Sequence, residues 1–258
     1  VGRNIAHDLC LLGLDVSLVS AVGGDSNGEF LLDRCRSLGM DVSRVRVVPG
    51  ARSSSYLYIT DERGDMQLAV NDMAVCNEIS PEYLEGVLPG IQAGALVLDT
   101  NLPVESLEFI CRSSCIPLYA DPVSSVKAMK LRSVMKHLRA IKPNALEAAA
   151  LTGQTDPELA ARALIDEGVQ RVFISLGTNG MIAAEGSRIL RMPSPEANVV
   201  NATGAGDAAM SAIVWADLHG LSLEDSARAA QLAGAITCAS EASNAPELSR
   251  LPGLMAAE

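Results

Sequence analysis

The chain has 258 residues, 48% of them hydrophobic and 20% charged, with a formal net charge of −11. That is enough apolar material to bury one large core, and the acidic balance excludes nucleic acid and anionic membrane as main partners, since both are bound through accumulated Lys and Arg. No apolar run reaches the ~18–20 residues of a membrane-spanning helix, and nothing resembles a signal peptide. Cys10, Cys35, Cys76, Cys111, Cys115 and Cys238 form no Cys-x-x-Cys pair and only three histidines accompany them. They are read as scattered reduced thiols of a cytoplasmic protein, and no zinc site is expected.

The chain opens Val1-Gly-Arg-Asn4 directly into helical periodicity over Arg3–Leu12. No strand precedes it, so the sequence is expected to lack its natural amino-terminal strand. A strand over Val16–Ala21 and a helix over Ser26–Leu38 follow. Short strands are then expected at Val45–Val48, Ser55–Thr60 and Met66–Asn71, the last two joined by the turn Asp61-Glu-Arg-Gly-Asp65. With no helix among them, they are expected to pair antiparallel as a small sheet over residues 44–72. Such a sheet serves equally as a lid over a pocket, as a contact between two copies, or as a packing decoration.

Beyond it, strands at Ala95–Asp99, Pro117–Asp121 and Arg171–Leu176 alternate with helices at Val104–Arg112, Asn144–Leu151 and Pro157–Glu167. Helices over Gly206–His219 and Leu223–Ser240 complete the pattern. Gly13, Gly39, Gly153, Gly168 and Gly220 each follow a helical stretch, as expected where the chain must turn left-handed. This alternation predicts an α/β fold with a mostly parallel sheet between helices, as a single domain over 1–258.

Three segments carry chemistry. In Asn201-Ala-Thr-Gly-Ala-Gly-Asp207, two glycines expose backbone amides at a helix start, where the helix dipole attracts an anion. Asp207 beside them is a candidate general base toward a substrate hydroxyl, although Gly and Asp also favour such turns for local reasons. In Lys142-Pro-Asn144-Ala-Leu-Glu147, a strand ends and a helix begins. Asn144 and Glu147 there either form a capping box or order magnesium-bound water. In Ser175-Leu-Gly177-Thr-Asn-Gly180, a strand runs into a glycine turn that either admits a nucleotide phosphate or ribose or simply begins a hairpin into Met181–Ala184. No Gly-x-Gly-x-x-Gly with a distal acid and no P-loop lysine motif is present, which argues against a dinucleotide dehydrogenase and a P-loop kinase.

These segments, in this order, resemble the ribokinase-like (PfkB) family of sugar and nucleoside kinases. Thr203-Gly-Ala-Gly-Asp207 is the most specific mark, supported by Gly2-Arg-Asn4 with Ala6, Val22-Gly-Gly-Asp25 with Gly28, Asn144-x-x-Glu147 and Ser175-Leu-Gly177. The resemblance implies Asp207 as catalytic base with Gly204, Ala205 and Gly206 as anion hole. It places Asn144, Ser175, Gly177 and Thr203 toward ATP, and Glu147 with Asn144 toward Mg2+ through water. It also implies that Gly2, Asn4 and Asn101 line the sugar pocket. Asn201 stands where many relatives have Asp beside a monovalent-cation site, so potassium is not expected.

Within the family the chain is similar to the pseudouridine kinases, through Val1-Gly-Arg-Asn-Ile-Ala-His7, Ser55-Tyr-Leu-Tyr-Ile59 and Leu68-Ala-Val-Asn-Asp-Met73. That similarity implies phosphorylation of the 5′-hydroxyl of pseudouridine, with another ribonucleoside or a furanose sugar as alternative substrates and a non-catalytic nucleoside-binding descendant as an alternative role. Asn71 or Asp72 would then offer a polar group to the base, unless they only end a strand. Lys142 is expected to reach the base or a phosphate, or else to face solvent.

Overall fold

The computed structural model describes residues 1–60 and 66–257. The turn expected between Ser55–Thr60 and Met66–Asn71 lies outside the described residues. In chain order the elements are α1 (Gly2–Leu11), β1 (Ser20–Gly23), α2 (Ser26–Ser37), β2 (Val45–Val48), β3 (Ser55–Thr60), β4 (Met66–Asp72), α3 (Pro81–Val87), β5 (Leu96–Asp99) and α4 (Val104–Ser113). There follow β6 (Leu118–Asp121), α5 (Ser125–Ala128), β7 (Leu138–Ile141), α6 (Ala145–Thr152), α7 (Pro157–Asp166), β8 (Arg171–Ser175), β9 (Met181–Glu185) and β10 (Arg188–Met192). The chain closes with α8 (Ala205–Leu218), α9 (Leu223–Cys238) and α10 (Leu251–Ala256).

Strands β5 to β10 form one sheet in the order β10-β9-β8-β7-β6-β5. The pairs from β5 to β8 are parallel, and the hairpin strands β9 and β10 run antiparallel at one edge. Side-chain alternation along each strand divides the interior into two apolar layers. Val172 and Ile174 of β8 and Ile182 and Ala184 of β9 pack with α4, α6 and α7 on one face. Phe173, Met181 and Ala183 pack with Ile5 and Leu9 of α1, Met210 and Ile213 of α8 and Ala227 and Ala230 of α9 on the other. Helix α8 is almost wholly buried because its sequence is apolar all round: its far side, through Ala208, Ala212 and Ala216, meets Ala229 and Ala233 of α9.

Two expectations need correction. Val45–Val48 does not join the antiparallel sheet; as β2 it pairs parallel with β1, from Ser20 opposite Val45 to Gly23 opposite Val48. The physical reason is that α2 lies between them, and a helical crossover returns the chain in the same direction. The first strand also starts later than Val16: Ser17 makes an isolated bridge to Asp41, and regular pairing begins only at Ser20. Asp41 carries that bridge through its backbone, accepting from the Leu18 amide at 2.8 Å and donating to the Val16 carbonyl at 2.9 Å, and the chain turns away just after it, where the Ser43 amide donates to the Asp41 carboxylate at 2.9 Å.

The antiparallel pair is β3 with β4, and its register sets Leu57 opposite Val70 and Ile59 opposite Leu68. Residues opposite one another share a face, and these four are each more than half exposed. The expected glycine stops hold: Gly153 ends α6 at φ 75°, and Gly13, Gly39, Gly168 and Gly220 are also left-handed.

Candidate active site

The start of α8 is shaped by one glycine. Gly204 is its N-cap, at φ 91°, and a Cβ there would come within 1.9 Å of the Ser243 carbonyl oxygen. Only glycine allows this backbone and this approach together. No side chain caps the helix. The Thr203 amide is taken by Asn201 Oδ1 at 2.9 Å and the Ala205 amide reaches the Ala202 carbonyl at 3.4 Å, which leaves the first-turn amides of Gly206 and Asp207 as donors that a helix start cannot satisfy internally.

Asp207 is buried within that first turn, and Asn4 Nδ2 from α1 donates to its Oδ2 at 2.8 Å. Burial pushes the Asp207 carboxyl above the ordinary aspartate range, while the Asn4 amide and the Lys142 ammonium pull it back. A buried carboxylate with a raised pKa next to free amides is suited to accepting a proton where negative charge is also held.

The carboxyl ends of β5, β6 and β7 contribute the second part. Asp99 ends β5; its Oδ2 accepts from the Gly2 amide at 2.8 Å and from Asn101 Nδ2 at 3.0 Å. Lys127 Nζ donates to Asn101 Oδ1 at 2.7 Å. Asp121 ends β6, and Lys142, just after β7, is buried with its Nζ 3.2 Å from Asp121 Oδ2. A Cβ on Gly206 would lie 3.4 Å from that same Nζ, so the ammonium sits directly beside the start of α8. Burial works against the charge on Lys142, but Asp121, Glu147 and Asp207 outweigh it and hold the ammonium above its usual range. The solvent-facing reading of Lys142 is therefore wrong: the strand delivers it inward because Ala140 and Ile141 before it are core residues. Next to Asp121, Val123 adopts φ 63°, a left-handed conformation rare for a β-branched residue.

The third part lies at the carboxyl ends of β7 and β8. Asn144 and Glu147 form a full capping box: Asn144 Oδ1 accepts from the Glu147 amide at 2.9 Å, and Glu147 Oε2 accepts from the Asn144 amide at 2.8 Å. Glu147 is nonetheless buried beside Lys142, and burial raises its pKa. Asn144 and Ser175 pair in an isolated parallel bridge, and with Leu176, Gly177, Asn179 and Arg191 they line a cleft of about 450 Å³. Gly177 is left-handed at φ 60° in open space, so the turn that begins the hairpin also forms the wall of the cleft. Among the described residues no group of three or more His, Cys, Asp or Glu is placed to hold a metal.

The structure thus sets Gly2 and Asn101 on Asp99, Asn4 on Asp207 in the turn of Gly204, Ala205 and Gly206, and Lys142 between Asp121 and that turn; Asn144, Ser175 and Gly177 line the cleft, and Glu147 caps its helix from within. Thr203 is exposed at the rim of the turn. Asn71 and Asp72 are exposed at the end of the ribbon, and the Asp72 carboxylate closes a turn onto the Ala74 amide at 3.0 Å. Sequence reasoning missed Asp99, Asp121, Lys127 and Asn244. The first two were detectable, since each is the last residue of an expected strand, the edge where α/β sheets bind ligands.

The pfkB carbohydrate kinase family profile matches residues 1–250. The chain belongs to the pfkB family of carbohydrate kinases. By that membership it is a phosphotransferase. It is 37% identical to the pseudouridine kinase of Escherichia coli (strain K12), over 96% of this chain and 82% of that one. It is equally 37% identical to the uncharacterized sugar kinase YeiI of the same organism, over 96% of this chain and 71% of the other. Among solved structures, a carbohydrate kinase from Agrobacterium tumefaciens superposes with a TM-score of 0.83 at 27% identity, covering 99% of this chain and 85% of that one. The ribokinase of Thermotoga maritima superposes with a TM-score of 0.88, covering 100% of this chain and 86% of the other; at 19% identity it bears on the fold alone, which is ribokinase-like.

Proposed function

We propose that the kinase transfers the γ-phosphoryl group of ATP to the 5′-hydroxyl of pseudouridine, giving pseudouridine 5′-phosphate and ADP. The observation that carries the reaction type is the Asp207 carboxylate, held by Asn4 at 2.8 Å in the first turn of α8. Asp207 accepts the hydroxyl proton as the oxygen attacks, and the free amides of Gly206 and Asp207, beside Gly204 and Ala205, face the charge on the transferring group. Lys142 supports the same reading. An ammonium beside a helix amino terminus is repelled by the dipole, so the pair is best satisfied when an anion lies between them. Lys142 therefore acts on the phosphoryl group rather than on the base.

On this reading Gly2, Asn4, Asp99 and Asn101 hold the ribose hydroxyls, and the cleft of Asn144, Ser175 and Gly177 takes the nucleotide, with Thr203 at its rim. Glu147 and Asn144 are suited to Mg2+ only through water: their capping box already uses Asn144 Oδ1 and Glu147 Oε2, which leaves one buried carboxylate oxygen. Such sparse ligation matches a cation that keeps most of its waters and whose contribution is to neutralise phosphate charge. The β3–β4 ribbon acts as a lid. Its exposed face of Leu57, Ile59, Leu68 and Val70 is large enough in apolar character to meet a second copy, giving a homodimer. Asn71 and Asp72 then meet the base only on lid closure. No helix among the described residues is long and apolar enough to cross a membrane, and the thiol usage and need for ATP fit a cytoplasmic setting.

The choice of pseudouridine rests on the named relative and on the lid sequence. A kinase acting on another ribonucleoside or a furanose sugar is the alternative that the equal similarity to a sugar kinase keeps open. Supplying Mg-ATP with pseudouridine, uridine, adenosine and ribose separately, and reading products by mass spectrometry, decides between them. Preference for pseudouridine, lost in Asp207→Asn while binding persists, is the expected result. Turnover of ribose or adenosine instead would reject the substrate, and no turnover on any would favour a non-catalytic binding role.

A further inference from the structure

The segment between α9 and α10 touches the site from behind at three points. The Glu241 carbonyl accepts from Asn201 Nδ2 at 3.0 Å, and Asn201 in turn holds the Thr203 amide. The Ser243 carbonyl fills the space over Gly204 where a side chain would be. Asn244 then reaches α1: its Nδ2 donates to the Asn4 carbonyl at 3.0 Å and to Asp8 Oδ1 at 2.8 Å, while its Oδ1 accepts from Arg3 Nη1 at 3.3 Å. Asp8 is completely buried one turn beyond Asn4, and its other oxygen has no partner. A carboxyl group with no other anchor at that depth makes the Asn244 contact costly to lose.

We propose that Asn244 is a positioning residue for the general base: by tying the Asn4 carbonyl and Asp8 to the segment that seats Gly204, it fixes the Asn4 side chain against Asp207. Two independent elements must meet for the Asn4–Asp207 bond to form, α1 from the chain start and α8 from the glycine turn. Asn244 is the side chain that bonds to the first while its neighbour Ser243 packs on the second. Direct packing between them includes Ser211 Oγ of α8, within 2.9 Å of the Asp207 carbonyl and 3.2 Å of the Ile5 carbonyl. That contact holds the backbone just after Asn4 against α8, and Asn244 adds the bond to the Asn4 carbonyl itself. The charged groups facing Asp207 are the amino group of Val1 at the start of α1, Lys142 and Asp121 from the sheet edge and Asp8 from α1, and the Asn4 amide bonds its carboxylate among them.

This inference rests on Asp207 being the base, and the test separates the two. In the full chain, kcat and KM for ATP and nucleoside are measured against pH for wild type, Asp207→Asn, Asn244→Leu and Asn244→Asp. Asn244→Leu keeps the volume and removes both donated bonds; Asn244→Asp keeps the acceptor toward Arg3 and removes the donors, and stands in if the leucine variant folds poorly. The expected result is a roughly ten- to hundred-fold lower kcat with KM for ATP little changed, and an acidic limb of the pH profile moved upward by about one unit, because the carboxylate has lost a hydrogen bond. Asp8→Asn retains an oxygen for Asn244 to bond and removes only a like charge facing Asp207, so its acidic limb does not move upward. An acidic limb unmoved in both Asn244 variants, with folding intact, overturns the inference. Turnover surviving in Asp207→Asn overturns the base assignment itself.

Discussion

Gly204→Ala is the sharpest perturbation of the site because its cost has two separable parts. The first is conformational: at φ 91° an alanine bears the left-handed penalty, ~1 kcal/mol after allowing for the stiffer unfolded chain. The second is steric. The new Cβ would lie 1.9 Å from the Ser243 oxygen, well over an ångström inside ordinary contact, so the turn and the segment behind it must separate. Forced separations of this kind cost typically ~1–3 kcal/mol, for a total of roughly 2–4 kcal/mol. Gly220→Ala provides the control, since Gly220 is left-handed at φ 71° with nothing within 4 Å of its absent Cβ. It should lose only the first part. For a chain of this size, 1 kcal/mol corresponds to a Tm change of about 2–4 °C. Gly220→Ala should therefore melt a few degrees lower and keep its kcat. Gly204→Ala should fall at least twice as far and, if the turn binds the transferring phosphate as proposed, lose most of its turnover. Thermal unfolding and phosphorylation assays on both variants test this. Equal melting losses with activity retained in Gly204→Ala would refute the claim that the Ser243 contact sets the turn.

Further outcomes follow from charge. Asp8 is fully buried and its carboxyl is pushed up to about 7 by burial. The folded chain keeps a proton that the unfolded chain releases near pH ~3.9, so stability falls as pH rises from there to about 7 and then levels off. Asp8→Asn should thus gain stability over wild type across that window, by an amount on the order of a few kcal/mol at neutral pH; denaturant titrations at pH 4.5 and 7.5 would show it, and a gap independent of pH would contradict it. Because burial raises the Asp207 carboxyl and a base must be unprotonated, kcat/KM should fall on the acid side above the ordinary aspartate range. A profile flat down to pH ~4 would count against Asp207 as base. Asp217 pairs with Arg139 at 2.7 Å and Arg171 at 3.0 Å and accepts from Tyr119 Oη in a largely buried network. Asp217→Asn leaves Arg139 and Arg171 only the more exposed Glu185 as carboxylate partner and should cost about 1.5–3 kcal/mol in urea unfolding, with KM values unchanged in the protein that remains folded.

The parallel sheet, the long helices and the glycine stops were legible because each follows from a local rule: periodicity, capping and the left-handed preference of glycine. So was the turn at Thr203–Asp207, whose spacing puts a carboxylate in the first turn of a helix wherever that helix lies. Pairing partners were not legible. Val45–Val48 reads as another short strand, and only the crossover through α2 makes it parallel to β1. The sequence left Lys142 between an inward and a solvent-facing course, because a lysine at a strand end can do either and its burial depends on Asp121 and α8 arriving from elsewhere in the chain. Asn244 carried no signal at all: an asparagine in a polar loop becomes informative only when folding brings it against Asn4 and Asp8, more than 230 residues away. The sequence by itself determined the turns, helix starts and residue types from which the phosphoryl-transfer proposal is built, since those depend on local geometry and side-chain chemistry. The tertiary structure decided which of them meet, because contacts between distant segments are fixed by how both faces of the sheet are covered, and no local rule encodes that.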